Sequence, residues 1–165
     1  MQIIVEDGSL VDGANSYVSL EECDEYHATL GNGTWTGTDA AKTAAIFRAM
    51  AYIEALPWRG RKVTYGRPLQ WPRADVVLDG HSVPTDEVPN GVISALCESA
   101  LLELVEPGVM RPSLDRGGQV TSFSLVGVVS ETYASNAPAG TVHQSVVGPL
   151  RGLLRGSGMI RVELA

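Results

Sequence analysis

The stretch WRGRKVTYGRPLQWPR, residues 58–73, organises the chain because it separates the two longest segments with helical character. It contains two Trp, one Tyr and five basic side chains but no acid. The basic residues are Arg59, Arg61, Lys62, Arg67 and Arg73. Its Pro and Gly residues exclude a long helix, because proline lacks a backbone donor and glycine is conformationally permissive. We therefore expect an ordered loop with short strands, called the hook below.

Two interpretations of the hook follow from its residue types. In the first, it is a connector in which Trp58 and Trp71 fill the core while the basic side chains stay in solvent. In the second, it is a contact surface, since Trp, Tyr and Arg dominate the energetics of interfaces. Both interpretations make Trp58 and Trp71 structural anchors, and we expect them to be buried against the helices on either side.

Helical patterns flank the hook. On the N-terminal side, a helix is predicted from about Leu20 to Leu30, where Ser19 and Glu22 have the spacing of a capping box and Gly31 follows the last turn. A second helix is predicted from about Asp39 to Ala55, capped by Thr38 or Asp39, and Pro57 stops it.

Two more helices are predicted after the hook. The third is capped by Asp86, carries Pro89 in its first turn and ends at Pro107–Gly108. The fourth is expected over about 142–154, although Gly148 and Pro149 weaken it. The predicted fold is mainly α, a small bundle of about four helices.

Extended segments complete the prediction. MQIIV at residues 1–5 has β character, Asp79–Gly80 marks a turn with extended flanks, and residues 119–133 predict a β-hairpin with Gly127 at its turn. The last residues alternate apolar and polar like a strand that seeks a sheet edge. We therefore expect one helical domain over 1–156 and a docking arm over 157–165.

The composition fits an ordinary soluble globule with 44% hydrophobic residues. No apolar run reaches the roughly 20 residues that span a bilayer, no signal peptide is recognisable, and a cytosolic origin is expected. Cys23 and Cys97 lie in helical patterns and resemble small buried residues rather than a disulfide.

Charge is unevenly distributed along the chain, whose net charge is −7. Residues 1–41 contain eight acids and no Lys or Arg, whereas residues 42–73 contain seven basic residues and one acid. This division fits two solvated faces. It also fits a head-to-tail contact in which the acidic side of one copy meets the basic side of the next.

Catalytic machinery is not recognisable. His27, His81 and His143 are scattered, and no Cys/His cluster has metal-ligand spacing. No phosphate-binding loop and no nucleophile elbow is present. We expect neither enzymatic activity nor a cofactor.

The order of several motifs resembles one known family over nearly the whole chain. The motifs are VEDG at 5–8, GANSYVSLEECDEY at 13–26, the region of Trp35, WRGRKV and PLQWPR in the hook, DEVP at 86–89, DRGGQV at 115–120, APAGT at 137–141 and VVGPLRGLLRG at 146–156. Together they resemble the head–tail connector proteins of tailed phages, also called adaptor or neck proteins. Members are often labelled "putative DnaT-like single-stranded DNA-binding proteins".

The resemblance implies a mostly helical subunit with a small β element. It implies a dodecameric ring in the virion neck, after a period in the host cytoplasm. The implied partners are the portal protein, a downstream stopper or tail-completion protein, and double-stranded DNA that passes the channel without specific binding. No membrane contact is implied.

The residues expected to contact neighbours fall into three groups. The first is the set of five basic residues in the hook. The second is the apolar face of the arm, whose sequence MIRVELA matches no fixed family pattern: Met159, Ile160, Val162 and Leu164. The third lies in the predicted hairpin: Val120, Phe123, Leu125 and Val128.

An alternative function is a primosome-like single-stranded DNA-binding protein. Trp58, Tyr65 and Trp71 could stack on bases while the nearby basic side chains neutralise phosphates. The acidic net charge argues against a dedicated nucleic-acid binder.

Overall fold

Two long helices, packed against each other, form the centre of the computed structural model, which describes residues 2–111, 120–125, 129–133 and 143–155. The helices in these ranges are α1 Leu20–Leu30, α2 Asp39–Ile53, α3 Asn90–Val105 and α4 Gln144–Val147. The strands are β1 Arg61–Lys62, β2 Arg73–Ala74, β3 Val77–Leu78, β4 His81–Ser82, β5 Val120–Leu125 and β6 Val129–Tyr133. The mainly helical prediction with a small β element is therefore confirmed.

Helix α1 begins and ends at the predicted residues because its signals are local. The Ser19 hydroxyl accepts a hydrogen bond from Glu22 N at 3.1 Å, and Ser19 N donates to Glu22 Oε2 at 2.7 Å. This reciprocal pair satisfies donors that the helix itself leaves open. At the other end Gly31 adopts φ +68°, a conformation that favours glycine.

Helices α2 and α3 pack through small and branched side chains. On α2, Ala45 and Ala49 are buried beside Ile46, Met50 and Ile53. Their partners on α3 include Val92, Ala95, Leu96, Cys97 and Ala100, all buried. Because alanine lets two helix backbones approach closely, this pair forms the rigid platform that holds the hook. Cys23 and Cys97 are buried free thiols, as predicted.

The start of α3 differs from the prediction. The helix begins at Asn90 with Pro89 as its N-cap residue, so Asp86 does not cap it. The Asp86 carbonyl instead packs against the N-terminal segment, where a Cβ at Gly8 would lie 2.2 Å from its oxygen. Pro89 also disfavours helical backbone at Val88, so the helix starts only after the proline.

Helix α4 is much shorter than predicted. It covers only Gln144–Val147, and the chain then continues in turns to Leu153. Pro149 lacks the N–H that another turn would need, and Gly152 adopts φ +83°. Val146, Leu150 and Leu153 are nevertheless buried, so the apolar positions reach the core without a continuous helix.

The short strands pair as three antiparallel two-stranded sheets in the described part of the chain. Strands β3 and β4 flank the predicted turn at Asp79–Gly80. Strands β5 and β6 form the predicted hairpin, with Leu125 opposite Val129, while Gly127 lies outside the described residues. The N-terminal segment makes a single parallel bridge, Val5 to Ser16, rather than a strand.

Candidate functional site: the basic hook

The hook is closed at its base by strands β1 and β2. Arg61 pairs with Ala74, and Lys62 pairs with Arg73. Just before β1, Gly60 adopts φ +67°, and a Cβ there would lie 2.1 Å from the Ala74 carbonyl oxygen. Glycine is therefore required at this position for the two strands to meet.

Both indole rings of the hook are buried, as predicted. Trp58 is 3% exposed and Trp71 is 1% exposed. Their ring centroids lie 5.5 Å apart at an interplanar angle of 84°, the edge-to-face arrangement that aromatic pairs prefer. Trp58 Nε1 also donates to the Ile53 carbonyl at 3.1 Å, which ties the start of the hook to the end of α2.

Buried Tyr17 and partly buried Glu54 hold the other end of the hook. The Tyr17 hydroxyl donates to Glu54 Oε1 and accepts from the backbone N–H groups of Gln70 and Trp71. Glu54 Oε2 accepts a second bond from Gln70 N at 2.8 Å. Burial raises the pKa of the Tyr17 hydroxyl and of the Glu54 carboxyl, although hydrogen bonds from Tyr17 and Gln70 oppose the effect at Glu54.

Arg73 lies inside the hook. Its guanidinium donates to the carbonyls of Arg59 at 2.6 Å, Gly60 at 2.9 Å and Gln70 at 3.2 Å, and to Gln70 Oε1 at 2.8 Å. Burial lowers its pKa, and the positive charge of Arg155 lowers it further. Arg73 therefore holds the two ends of the hook together and, at 5% exposure, presents almost no surface to the neighbour that the sequence predicts for it.

The remaining cations of the hook also make bonds within the chain. Lys62 Nζ donates to the Arg67 carbonyl at 2.7 Å, Arg67 to the Val11 carbonyl at 3.1 Å, and Arg59 to the Leu154 carbonyl at 3.0 Å. Arg61 pairs with Asp75 at 2.7 Å, and both side chains are about two-thirds exposed, so the pair adds little stability. Arg59 and Arg61 are exposed, whereas Lys62 and Arg67 are partly buried.

The C-terminal end of the described chain adds a basic residue that sequence reasoning missed. Trp58 forms an isolated antiparallel bridge with Leu154. Arg155 N donates to the Pro57 carbonyl at 2.7 Å, and Arg155 Nη2 donates to the Gly60 carbonyl at 3.3 Å. Exposed Arg155 thus joins Arg59 and Arg61 at the base of the hook. No sequence signal could have shown this, because about 95 residues separate the partners.

Tyr65 differs from the other aromatic residues of the hook. It is fully exposed, at 101% of its reference area, in the segment that connects β1 to β2. The three aromatic residues grouped in the DNA-binding alternative are therefore not equivalent, because only Tyr65 among them presents its ring to solvent.

The other predicted contact groups are less fully described. Val120, Phe123 and Leu125 lie on β5, and only their backbone is described. Val128 and the arm residues Met159, Ile160, Val162 and Leu164 lie outside the described ranges. Within those ranges, no group of three or more His, Cys, Asp or Glu side chains is arranged to hold a metal ion. None of the described helices combines the length and apolar character needed to cross a membrane.

One family model matches the chain, over residues 1–165, and the family is described as "Putative DnaT-like ssDNA binding protein". The description names single-stranded DNA and does not mention a connector. No curated protein and no solved structure matches the chain.

Proposed function

The chain belongs to the family described as "Putative DnaT-like ssDNA binding protein", and we propose that it serves as a structural head–tail adaptor of a tailed bacteriophage. In this role, copies form a ring beneath the portal, continue the DNA channel and present a platform to the next neck or tail component. The order of motifs that resembles connector proteins supports this role.

The observation that carries the proposal is that the hook uses its own side chains internally. Both indoles belong to the core, and Lys62, Arg67 and Arg73 donate to carbonyls of the same chain. A protein that grips a single strand needs rings and cations free for bases and phosphates. A hook bonded in this way suits a subunit that must keep its shape within an assembly.

The charge distribution supports the same role. The N-terminal 41 residues carry eight acids, and Glu21, Glu22 and Glu25 are exposed on α1. The base of the hook exposes Arg59, Arg61 and Arg155. Complementary surfaces at different places on one subunit make a head-to-tail contact, which closes into a ring when the rotation allows. The net charge of −7 also suits a channel through which DNA must slide.

Electron microscopy of the protein mixed with its cognate portal ring tests this role. The wild-type protein should add a ring of density to the portal. Arg59→Glu combined with Arg61→Glu should remain folded, since both side chains are exposed, but should fail to form that ring. Arg111→Glu, which reverses an exposed arginine after α3, is the matched control and should assemble normally. Normal assembly by the double variant would count against the proposed use of the hook.

Single-stranded DNA binding is the second candidate, and the family description favours it. The structure supplies one feature in its support, the exposed ring of Tyr65 near Arg61 in the chain. Stacking of one base on an aromatic ring contributes about 1–3 kcal/mol, and phosphate contacts make affinity fall steeply with salt.

A salt titration with a labelled single-stranded oligonucleotide separates the two candidates. If the second candidate is correct, binding weakens as salt rises, and Tyr65→Ala lowers affinity by about 5- to 150-fold, which corresponds to the loss of one stacked base. If the adaptor role is correct, the oligonucleotide binds weakly at physiological salt and Tyr65→Ala leaves that weak binding unchanged.

A further inference from the structure

An open groove lies between α1 and α3, away from the bonds that hold the hook. Its volume is about 400 Å³, and its lining residues are Glu22, Glu25, Tyr26, Thr29, Leu30 and Ile93. Leu30 is 55% exposed although it is a large apolar side chain. Glu22 and Glu25 are exposed, so the groove combines an apolar floor with acidic side chains. A surface of this kind suits an apolar group that is flanked by cations.

The hook carries an exposed aromatic ring next to basic residues, which complements the acidic and apolar groove. Tyr65 is fully exposed, and the chain places Arg61 and Lys62 just before it and Arg67 just after it. Lys62 and Arg67 are held by backbone carbonyls of the same chain, which fixes the segment around the tyrosine. Tyrosine and arginine are among the residues that contribute most to binding at protein interfaces.

We propose that Tyr65 of one copy inserts into the α1–α3 groove of the next copy, with the exposed Arg61 facing Glu22 and Glu25. The apolar floor receives the ring, and the acidic side chains complement the charge of Arg61, whose exposed pair with Asp75 adds little stability. A pocket of this size accommodates a tyrosine side chain. Because the exposed Tyr65 and Arg61 complement the groove in shape and charge, the occupant is a second copy of this chain.

This contact is heterologous, because the inserted group and the groove are different surfaces of the subunit. Each copy can donate its tyrosine to one neighbour and receive the tyrosine of another, so the contact propagates into a ring or a filament. The inference rests on the proposed assembly role and names the surfaces through which that assembly would form.

Sedimentation velocity at low salt tests the contact in solution. The wild-type protein should associate, and Tyr65→Ala should weaken the association by at least about 30-fold, the factor expected for an interface hot spot. Leu30→Arg places a cation at the groove and should weaken association to a similar extent. Val105→Arg is the matched control, since it changes an apolar residue that is 64% exposed on α3 but does not line the groove. This control should associate like the wild-type protein.

A mixture of the two defective variants gives the sharpest result. Tyr65→Ala keeps an intact groove, and Leu30→Arg keeps an intact tyrosine, so one good contact can form between them. An equimolar mixture should therefore produce a dimer that grows no further. This dimer should dissociate as salt rises, because screening weakens the charged part of the contact.

The contact would be overturned by a wild-type protein that stays monomeric at every concentration and salt, by a variant mixture that stays monomeric, or by single variants that associate like the wild-type protein. Loss of association in Leu30→Arg but not in Tyr65→Ala would assign the groove to another occupant and also overturn it. The adaptor role is judged separately on the portal ring. If Tyr65→Ala still forms that ring, the contact is wrong and the adaptor role stands.

Discussion

The aromatic residues of the hook show how burial separates side chains of similar chemistry. Trp58 and Trp71 pack edge to face in the core, whereas Tyr65 is exposed a few residues away. The sequence predicted the two anchors, since large rings among Pro and Gly residues have few other ways to order a loop. It did not predict the role of Arg73, because a buried arginine bonded to carbonyls looks the same in sequence as a solvated one.

Replacing the most buried ring should therefore destabilise the fold strongly. We expect Trp71→Ala to lower the free energy of unfolding by about 3–5 kcal/mol, through lost burial and the cavity that remains. Tyr65→Ala is the matched control within the same hook and should change it by less than about 0.5 kcal/mol. Urea denaturation of both variants measures the difference, and similar values for the two would contradict the anchoring role.

Glu54 should make stability depend on pH in a definite direction. Burial raises the pKa of its carboxyl in the folded state, so the folded protein keeps this proton to a higher pH than the unfolded chain. The stability that protonated Glu54 contributes is fully present below the pKa that its carboxyl has in the unfolded chain. It is lost as pH rises through the pKa of the carboxyl in the folded protein.

Glu54→Gln remains neutral at every pH and isolates this effect. As pH rises from about 4 towards 7, the free energy of unfolding of the variant should rise relative to that of the wild-type protein, because only the wild-type carboxyl titrates. Urea denaturation across this range tests the direction. A difference that stays constant, or that moves the other way, would show that the hydrogen bonds at Glu54 outweigh its burial.

At the scale of elements, prediction succeeded where the signals were local. The predicted bounds of α1 agree with the structure because Ser19, Glu22 and Gly31 act within one turn of its ends. The predicted length of α4 was wrong although Pro149 is a local signal against a longer helix, and the predicted start of α3 was wrong where a distant contact is made. The Asp86 carbonyl packs on Gly8, and a Cβ at Gly91 would lie 2.3 Å from the Pro149 carbonyl oxygen. Such approaches between distant segments have no local sequence signal.

The strand pairing in the hook gives a test at this scale. Gly60 and Gly66 both have positive φ, +67° and +84°, so an alanine strains the backbone at either position. A Cβ at position 60 would meet the Ala74 carbonyl oxygen at 2.1 Å and Val76 Cγ2 at 2.7 Å, whereas nothing lies within 4 Å at position 66. We expect Gly66→Ala to lower the free energy of unfolding by about 1–2 kcal/mol. Gly60→Ala should lower it by at least about 2 kcal/mol more.

Chemical denaturation of the two alanine variants measures that difference directly. Because both carry the same residue change in the same kind of backbone conformation, their difference reports the approach of β2 to Gly60. Equal losses would mean that the strand pair relaxes around the new methyl group and that the base of the hook is not rigid.

At the scale of the whole molecule, the candidate site is assembled from both halves of the chain. The sequence predicted the hook and its charge, and the structure adds the segment at 153–155, which closes over the hook through Leu154 and Arg155. The apolar pattern of the helix predicted over about 142–154 indicated that Leu150 and Leu153 are buried. It did not indicate that Leu154 and Arg155 contact the hook. The contacts of Leu154 and Arg155 with the hook join residues far apart in sequence, so they depend on the packing of the entire fold. For this reason the sequence did not predict that Arg155 lies beside Arg59 and Arg61.

Two truncations should therefore behave differently. Ending the chain after Gly152 removes buried Leu153, the bridge from Leu154 to Trp58 and both bonds from Arg155. Loss of a buried leucine alone costs about 2–5 kcal/mol, so the melting temperature should fall by roughly 10 °C or more. Removing only residues 159–165 leaves all of these contacts in place and should shift the melting temperature by less than about 2 °C. Thermal denaturation of both truncated proteins measures the two shifts.

The shorter truncation also tests the docking arm, whose residues lie outside the described ranges. Ile160, Val162 and Leu164 alternate with charged residues, a pattern that suits strand addition to the edge of a partner sheet. Under this hypothesis, the protein lacking 159–165 remains folded yet no longer joins the portal ring, as read by electron microscopy. If the arm instead folds back beside residues 1–5, its removal lowers the melting temperature of the isolated protein. A truncated protein that keeps both its melting temperature and its portal binding would contradict docking and leave the fold-back contact without support as well.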